Sequence, residues 1–263
     1  MSERSLLDAV LEPGGLSVRF QPIFEYSRDK RSLHGVECLI RGPAGTNLES
    51  ADVLFEYVRR KREESLVDRA CVATSLERAA ALPGEPNLAL NVHASTLGRD
   101  RDFVGFLLGS AAGCAIALSR LTIEIVEHSP FWDGRSFLSA LEQIRSNGIR
   151  LALDDVGLGQ SNYRMILDCR PDYFKVDRYL VDGAHRDVYR LAVLESISHL
   201  AVKFGARVVA EGVEEESDFK AMRGLGIDLF QGYLFSRPLT ASVLVTSGIL
   251  DEVSARRKAA AAV

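Results

Sequence analysis

Short apolar, β-branched runs alternate with longer amphipathic stretches along almost the whole chain. The runs predict strands over Ser17–Phe24, Gly35–Arg41, Asn87–His93, Leu121–Glu127, Arg150–Val156, Asp172–Val176, Arg207–Gly212 and Leu229–Phe235. The stretches between them predict helices over Ser50–Lys61, Ser65–Ala81, Asp102–Ala111, Gly134–Asn147, Tyr179–Phe204 and Glu215–Leu225. Alternation of this kind implies a parallel sheet with helices outside it. Eight strands in 263 residues favour closing that sheet into a barrel. The connection from Tyr26 to Ser32 is short and polar, with no room for a crossover helix, so the first two strands should run antiparallel. The expected fold class is α/β, a modified (β/α)8 TIM-type barrel with one antiparallel strand near the start. Residues 1–255 read as a single domain, and 256–263 as a frayed, charged and then Ala-rich tail.

A strand buried on both faces should be apolar throughout. Here polar residues interrupt the runs near their C-terminal ends: Glu37, Asn91, Glu124, Asp154 with Asp155, Lys175, Glu211 and Gln231. Ionised groups in such places are costly unless paired or bound to metal, and the strand C-termini of a barrel are where catalytic groups collect. Separate buried salt bridges are a poor explanation, because Lys175 is the one basic residue of the set. Five carboxylates and one lysine leave an excess of about four negative charges, which two divalent cations neutralise. Oxygen donors suit Mg²⁺ or Mn²⁺ rather than zinc. Adjacent Asp154 and Asp155 should face opposite sides of a strand, but a turn helped by Gly157 brings both inward. Two such ions about 4 Å apart form a clamp for in-line displacement at phosphorus. The residues alone thus point to metal-dependent phosphoester hydrolysis.

Composition narrows the choice without changing it. Hydrophobic residues make up 47%, charged residues 26%, and the formal net charge is −4, which describes a globular protein and excludes nucleic-acid coating by bulk charge. The four cysteines, Cys38, Cys71, Cys114 and Cys169, show no zinc spacing and read as free thiols in a reducing cytosol. No signal pattern opens the chain, and the most apolar stretch, Leu107 to Leu118, is too short to span a bilayer, so a cytoplasmic location without membrane insertion is expected. Gly157-Leu158-Gly159 is not a dinucleotide fingerprint, because its third glycine falls on Asn162. The five histidines lack paired spacing and read as structural, with His93 beside Asn91 the one of interest. Arg59 to Arg62 reads as a solvated helix face, and Phe131-Trp132 as a core plug, with an interface patch the alternative.

The ordered series FQPI (20–23), ECLIR (37–41), LNV (90–92), EIVE (124–127), DDVGLGQSN (154–162), KVD (175–177), AEGVE (210–214) and QGYLFSRP (231–238) resembles the EAL domain family. That resemblance implies a bacterial phosphodiesterase that cleaves cyclic di-GMP to linear pGpG. It implies that Glu37, Asn91, Glu124, Asp154, Asp155 and Glu211 bind two ions, Mg²⁺ or Mn²⁺, with Asp154 bridging. It implies that Lys175 polarises the attacking water, that Glu211 accepts its proton, and that Gln231 positions water or phosphate. Gln21, Leu39 and Arg41 become substrate contacts, Arg41 through its bidentate fork. Glu127 and Glu214 brace the loop after Asp155. A homodimer is implied by the family alone, and no nucleic-acid polymer is expected as a partner.

Several positions depart from the family pattern. Cys38 replaces a usual Ala, and on a strand it should face the outer helices while Glu37 and Leu39 face inward. Val126 stands where Thr is usual. Val156, Leu158 and Gln160 stand where Phe, Thr and Tyr are common, in a loop that couples metals to dimer contacts in the family. These changes keep open an alternative, a catalytically weak EAL domain acting as a cyclic di-GMP sensor or protein-interaction module. No sensory or GGDEF-like segment is recognisable, which fits a stand-alone protein or a piece of a longer one.

Overall fold

The computed structural model describes residues 6–28, 30–126, 134–158 and 163–252. A short helix α1 (Leu6–Leu11) precedes β1 (Ser17–Ser27) and β2 (Lys30–Arg41). Next come α2 (Ala51–Lys61), α3 (Glu64–Ala79), β3 (Asn87–His93), α4 (Ala94–Arg99), α5 (Phe103–Gly113) and β4 (Leu121–Val126). The chain continues through α6 (Gly134–Ser146), β5 (Arg150–Leu153), α7 (Tyr163–Cys169), β6 (Tyr173–Val176), α8 (Arg178–Val181) and α9 (Val188–Phe204). It ends with β7 (Arg207–Ala210), α10 (Glu216–Gly224), β8 (Leu229–Phe230) and α11 (Ala241–Thr246).

The strands close a barrel in chain order. β1 pairs antiparallel with both β2 and β8, and every other neighbouring pair is parallel. The expected antiparallel pair is therefore present, and its strands run further into the polar connection than the sequence indicates. Both faces of the sheet are covered, so Leu121 to Ile125 of β4 are all buried. The helices bury one stripe each, for example Leu54 and Val58 in α2 and Phe137, Ala140, Leu141 and Ile144 in α6.

The β1–β8 seam, like β5–β6 and β7–β8, is held by two residue pairs. Aromatic packing reinforces it. Phe219 of α10 lies 4.8 Å from both Tyr26 and Phe230, and Tyr26 and Phe230 meet edge-on at 5.8 Å. Each such pair contributes roughly 0.5–1.5 kcal/mol beyond the area it buries.

Three expectations need correction. Tyr179–Phe204 is not one helix. It breaks at Gly183, which is left-handed (φ 71), and α9 restarts at Asp187, whose carboxylate accepts from the N–H groups of Tyr189 and Arg190. β5 stops at Leu153 because Asp155 itself adopts a left-handed backbone (φ 52), ahead of Gly157. β8 stops at Phe230 because Gly232 then crosses the backbone of Val213 so closely that a Cβ there would lie 2.1 Å from Val213 O. Glu127, Phe131, Trp132, Gln160, Asn162 and the 256–263 tail lie outside the described residues. Among the described residues no helix is long and apolar enough to cross a membrane. All four cysteines are free, and Cys38, Cys71 and Cys169 are buried.

The end of the barrel away from the strand C-termini carries its own polar network. The β1–β2 register slips between Ile23 and Phe24, which pair with Gly35 and Leu33 and leave His34 as the extra residue of a bulge. His34 Nε2 lies 3.0 Å from Tyr173 Oη, and its Nδ1 lies 3.9 Å from Glu25. Arg207 bridges Glu25 at 3.0 Å and Asp228 at 2.6 Å.

Two predictions concern this frame. Arg62 ends α2 in a left-handed conformation (φ 59) with an exposed side chain. Arg62→Gly removes the Cβ strain and should raise stability by about 1 kcal/mol, read as a higher urea midpoint. Burial holds the His34 imidazole below its ordinary pKa, and the charges of Arg207 and Arg150 add to this against Glu25. The unfolded chain then takes up a proton near pH 6.5 while the folded one resists, so this residue's contribution to stability falls as pH drops from about 7 to 5. His34→Gln should show a shallower loss of urea midpoint over that range than the wild type. Parallel curves would refute the assignment.

Candidate active site

Register places the polar residues at one level. Gln21 of β1 pairs with Glu37 of β2, Asn91 of β3 pairs with Glu124 of β4, and Lys175 lies within β6. Asp154, Glu211 and Gln231 each come directly after the last residue of β5, β7 and β8. Backbone hydrogen bonds fix those three: Asp154 N–H donates to Ile125 O, Glu211 N–H to Val176 O and Gln231 N–H to Ala210 O.

The side chains converge on the Lys175 ammonium, which is 2% exposed. Its Nζ lies 2.7 Å from Glu124, 2.7 Å from Glu211, 3.3 Å from Asp154 and 3.6 Å from Glu37. Asn91 Nδ2 donates to one oxygen of Glu37 at 2.8 Å, and Gln231 Nε2 donates to the other at 2.7 Å. Gln231 Nε2 also lies 3.1 Å from Gln21 Oε1. Gln231 Oε1 is buried without a hydrogen-bond partner. Lys175 is therefore the shared partner of four acids, a cluster of buried ion pairs that sequence reasoning did not foresee.

One cation does not balance four carboxylates. Burial opposes charge on Lys175, but Asp154, Glu124, Glu211 and Glu37 outweigh it and hold the ammonium firmly protonated. Burial and the neighbouring acids push Glu124 and Glu211 well above the carboxylate range despite Lys175. Burial also opposes charge on Glu37, yet Lys175 and the bonds from Asn91 and Gln231 keep it below that range. Asp155 is pushed up to about 6 by burial, Asp154 and Asp177.

Two cavities of about 300 Å³ meet over Glu37, Leu39 and Asp154, and Asp155 lines neither. The polar one is bounded by Gln21, Lys175, Glu211 and Gln231 and, outward, by Asp177, Arg178, Glu214 and Tyr233. The other runs between the barrel and α2–α3, past Arg41, Phe55, Arg59, Cys71 and His93. Arg41 borders this second cavity, with Nη1 donating to Ile40 O at 2.8 Å. His93 is held by Asp68, Nδ1 to Oδ1 at 2.9 Å. Cys38 faces Ser75 of α3, as its outward register requires. Glu214 pairs with Arg178 at 2.9 Å. Asp177, Arg178, Asp68 and Tyr233 were missed by sequence reasoning, although Asp177 and Tyr233 lie inside its motifs.

The donor set, oxygen throughout and negatively charged in excess, is what hard divalent cations select. A metal fits the cluster on that ground and on the unsatisfied oxygen of Gln231. Elsewhere, His185, Glu215 and Asp218 are the three among the described residues whose acid or imidazole ligand atoms lie within 4.8 Å of one another. Asp218 there accepts from the backbone N–H groups of Gly183 and His185, a structural use.

Residues 3–238 match the EAL domain family. The chain belongs to this family. This EAL domain is 28% identical over 250 residues to the cyclic di-GMP phosphodiesterase NbdA of Pseudomonas aeruginosa, covering 90% of this chain and 31% of NbdA. It spans 31% to 48% of the length of the first curated relatives it matches. Klebsiella pneumoniae BlrP1, solved with calcium and cyclic di-GMP, superposes with a TM-score of 0.77 at 28% identity, covering 92% of this chain and 58% of that one. A manganese and cyclic di-GMP complex of BlrP1 gives 0.77 at 30% identity, covering 88% and 58%. A standalone EAL protein of Vibrio cholerae, bound to cyclic di-GMP, gives 0.75 at 26% identity, covering 86% and 93%.

In this EAL domain the departures from the family pattern are packed. Val156 is buried and its N–H donates to Lys175 O at 2.9 Å, while Leu158 is half-buried against the core. Gly212 (φ 61), directly after Glu211, lies so near Arg178 that a Cβ would meet Arg178 Cβ at 2.4 Å.

The crowding of acids has a thermodynamic signature. Glu124→Gln keeps a polar contact to Lys175 and removes one unit of repulsion. In EDTA it should raise stability by something on the order of 1 kcal/mol; Mn²⁺ should raise the melting temperature of the wild type, and the variant should lose most of that increase. An unchanged Mn²⁺ response in differential scanning calorimetry would exclude Glu124 from cation binding.

Proposed function

We propose that this EAL domain, read as one unit over residues 1–255, hydrolyses cyclic di-GMP to linear pGpG with Mg²⁺ or Mn²⁺. The observation that carries the reading is the convergence of Glu37, Glu124, Asp154 and Glu211 on Lys175 within 3.6 Å, beside a cavity open to Gln21, Leu39 and Gln231. Glu37, Asn91, Glu124, Asp154, Asp155 and Glu211 would hold two ions. Divalent cations held there supply Lewis-acid charge to the phosphoryl oxygens and lower the pKa of the attacking water. Lys175 orients that water through an ammonium that stays protonated. Glu211, which lines the same cavity 2.7 Å from Lys175, would take the proton as a carboxylate. The water oxygen forms a new P–O bond as the P–O bond to the ribose oxygen breaks, and that oxygen leaves as a hydroxyl with a proton from solvent. Gln231 offers its buried Oε1 to water, and Arg41 closes on a phosphate from the neighbouring cavity.

The reading places the chain in the cytosol, where buried free thiols stay reduced. It also makes the domain a homodimer, in keeping with the exposed apolar residues Tyr163 and Leu167 of α7 and Val188 and Tyr189 of α9. A binding module is the second reading. The specific observation behind it is the apolar packing of Leu158, beside buried Val156, at a loop position where Thr is common in the family.

Pure protein with cyclic di-GMP and Mn²⁺ should yield pGpG, EDTA should stop turnover, and Glu37→Ala should slow it by at least about a hundredfold. Tight binding in Ca²⁺, the ion of one BlrP1 complex, without turnover in Mg²⁺ or Mn²⁺ would establish the sensor. Neither binding nor turnover would end both readings.

A further inference from the structure

The polar cavity over Lys175 has one aromatic residue in its wall among the described residues, Tyr233. It lies two positions after Gln231, and its backbone is anchored where Gly232 crosses Val213. Leu234 N–H donates to Val213 O at 3.0 Å, which ties down the other side of the residue. The Arg237 guanidinium lies over the ring, 4.2 Å from its centroid. Even so, Tyr233 stays 47% exposed. An aromatic held by its backbone, half open and at the edge of a charged cavity, is the arrangement on which nucleobases stack. The other large exposed aromatics, Tyr163, Tyr179 and Tyr189, border neither this cavity nor its neighbour.

We propose that Tyr233 is a stacking platform for one purine base of the dinucleotide and is therefore a specificity-determining residue of this site. The inference rests on the phosphodiesterase reading. The cavity floor supplies charge for a phosphate, and nothing else in its wall supplies a π-face for the base next to it. Arg237 behind the ring adds a fixed positive charge that polarises the stack. Tyr233 takes no part in the chemistry, so its loss should weaken binding and leave the chemical step intact.

Calorimetry with cyclic di-GMP in Ca²⁺ tests this on the full chain. Tyr233→Phe should bind like the wild type. Tyr233→Ala and Tyr233→Leu should each raise Kd about tenfold, and in Mn²⁺ they should raise KM with kcat within about twofold of the wild type. Tyr233→Leu keeps apolar bulk at the position, so a loss shared by both variants is a loss of the π-face. The chain has a single tryptophan, so Tyr233→Trp in a Trp132→Phe background gives a direct readout, with fluorescence quenched as the base stacks. Wild-type binding with unaltered Kd in Tyr233→Ala, or no quenching at saturation, overturns the platform alone. Failure of the wild type to bind or turn over cyclic di-GMP overturns the platform and the phosphodiesterase reading together.

Discussion

The rest of the molecule is arranged around a single buried ammonium. Lys175 sits where four carboxylates meet, and it neutralises only one of them. Taking ionised groups out of water is expensive, and a pair recovers that cost only with good geometry and full hydrogen bonding. Here the geometry is good and the charge count is wrong. Burial and the neighbouring acids raise the proton affinity of Glu124 and Glu211 well above that of an ordinary carboxylate. The fold therefore tolerates at its rim an arrangement that works against its own stability, which is what a site adapted to bind cations and not to hold the fold together looks like. The ammonium also spreads the acids apart, so cations entering the cluster compete with Lys175 for the same oxygens.

The barrel makes such crowding possible. Parallel strands in register bring residues from distant parts of the chain to one height, as Asn91 and Glu124 show. Inverting β1 adds Gln21 to that ring, because the antiparallel register sets it opposite Glu37. Two residue pairs close the β1–β8 seam, and the packing of Tyr26, Phe219 and Phe230 covers it. The close approach of Gly212 to the Arg178 side chain and the backbone crossing of Gly232 over Val213 lie directly beside Glu211 and Gln231. Positioning thus draws on contacts that leave no room for a Cβ, while the chemistry comes from the side chains next to them.

Much of this was legible in the sequence, for a physical reason. Carboxylates inside β-branched runs violate the rule for buried strands so plainly that Glu37, Glu124, Asp154 and Glu211 identify themselves. The short Tyr26–Ser32 connection likewise dictates an antiparallel pair. Less visible were features that depend on three-dimensional neighbours. The break at Asp182-Gly183 is a turn signal that a long apolar periodicity conceals. The left-handed backbone of Asp155 goes with the bond that pins Val156 N–H to Lys175 O on the neighbouring strand, and no residue type announces it. Lys175 looked like a lone base among acids, since sequence order does not reveal that one ammonium reaches four strands at once. Tyr233 was hidden differently: it sits in a recognisable motif, and only the cavity beside it gives it a task.

The two ends of the barrel supply an internal control for reading buried charge. At the end opposite the site, Arg207 bridges Glu25 and Asp228, and Arg150 Nη2 donates to Asn87 Oδ1. Cations and anions there are matched locally, and Asn87 Nδ2 in turn donates to the backbone oxygen of the bulged His34. This is structural use of polarity, in which the groups mostly answer one another within the protein, with Arg150 Nε the buried exception. At the rim, the more deeply buried Lys175 meets four carboxylates and balances one of them. What separates the two clusters is whether the charges close among themselves: Arg207 is matched by nearby acids, whereas the rim carries more acids than bases.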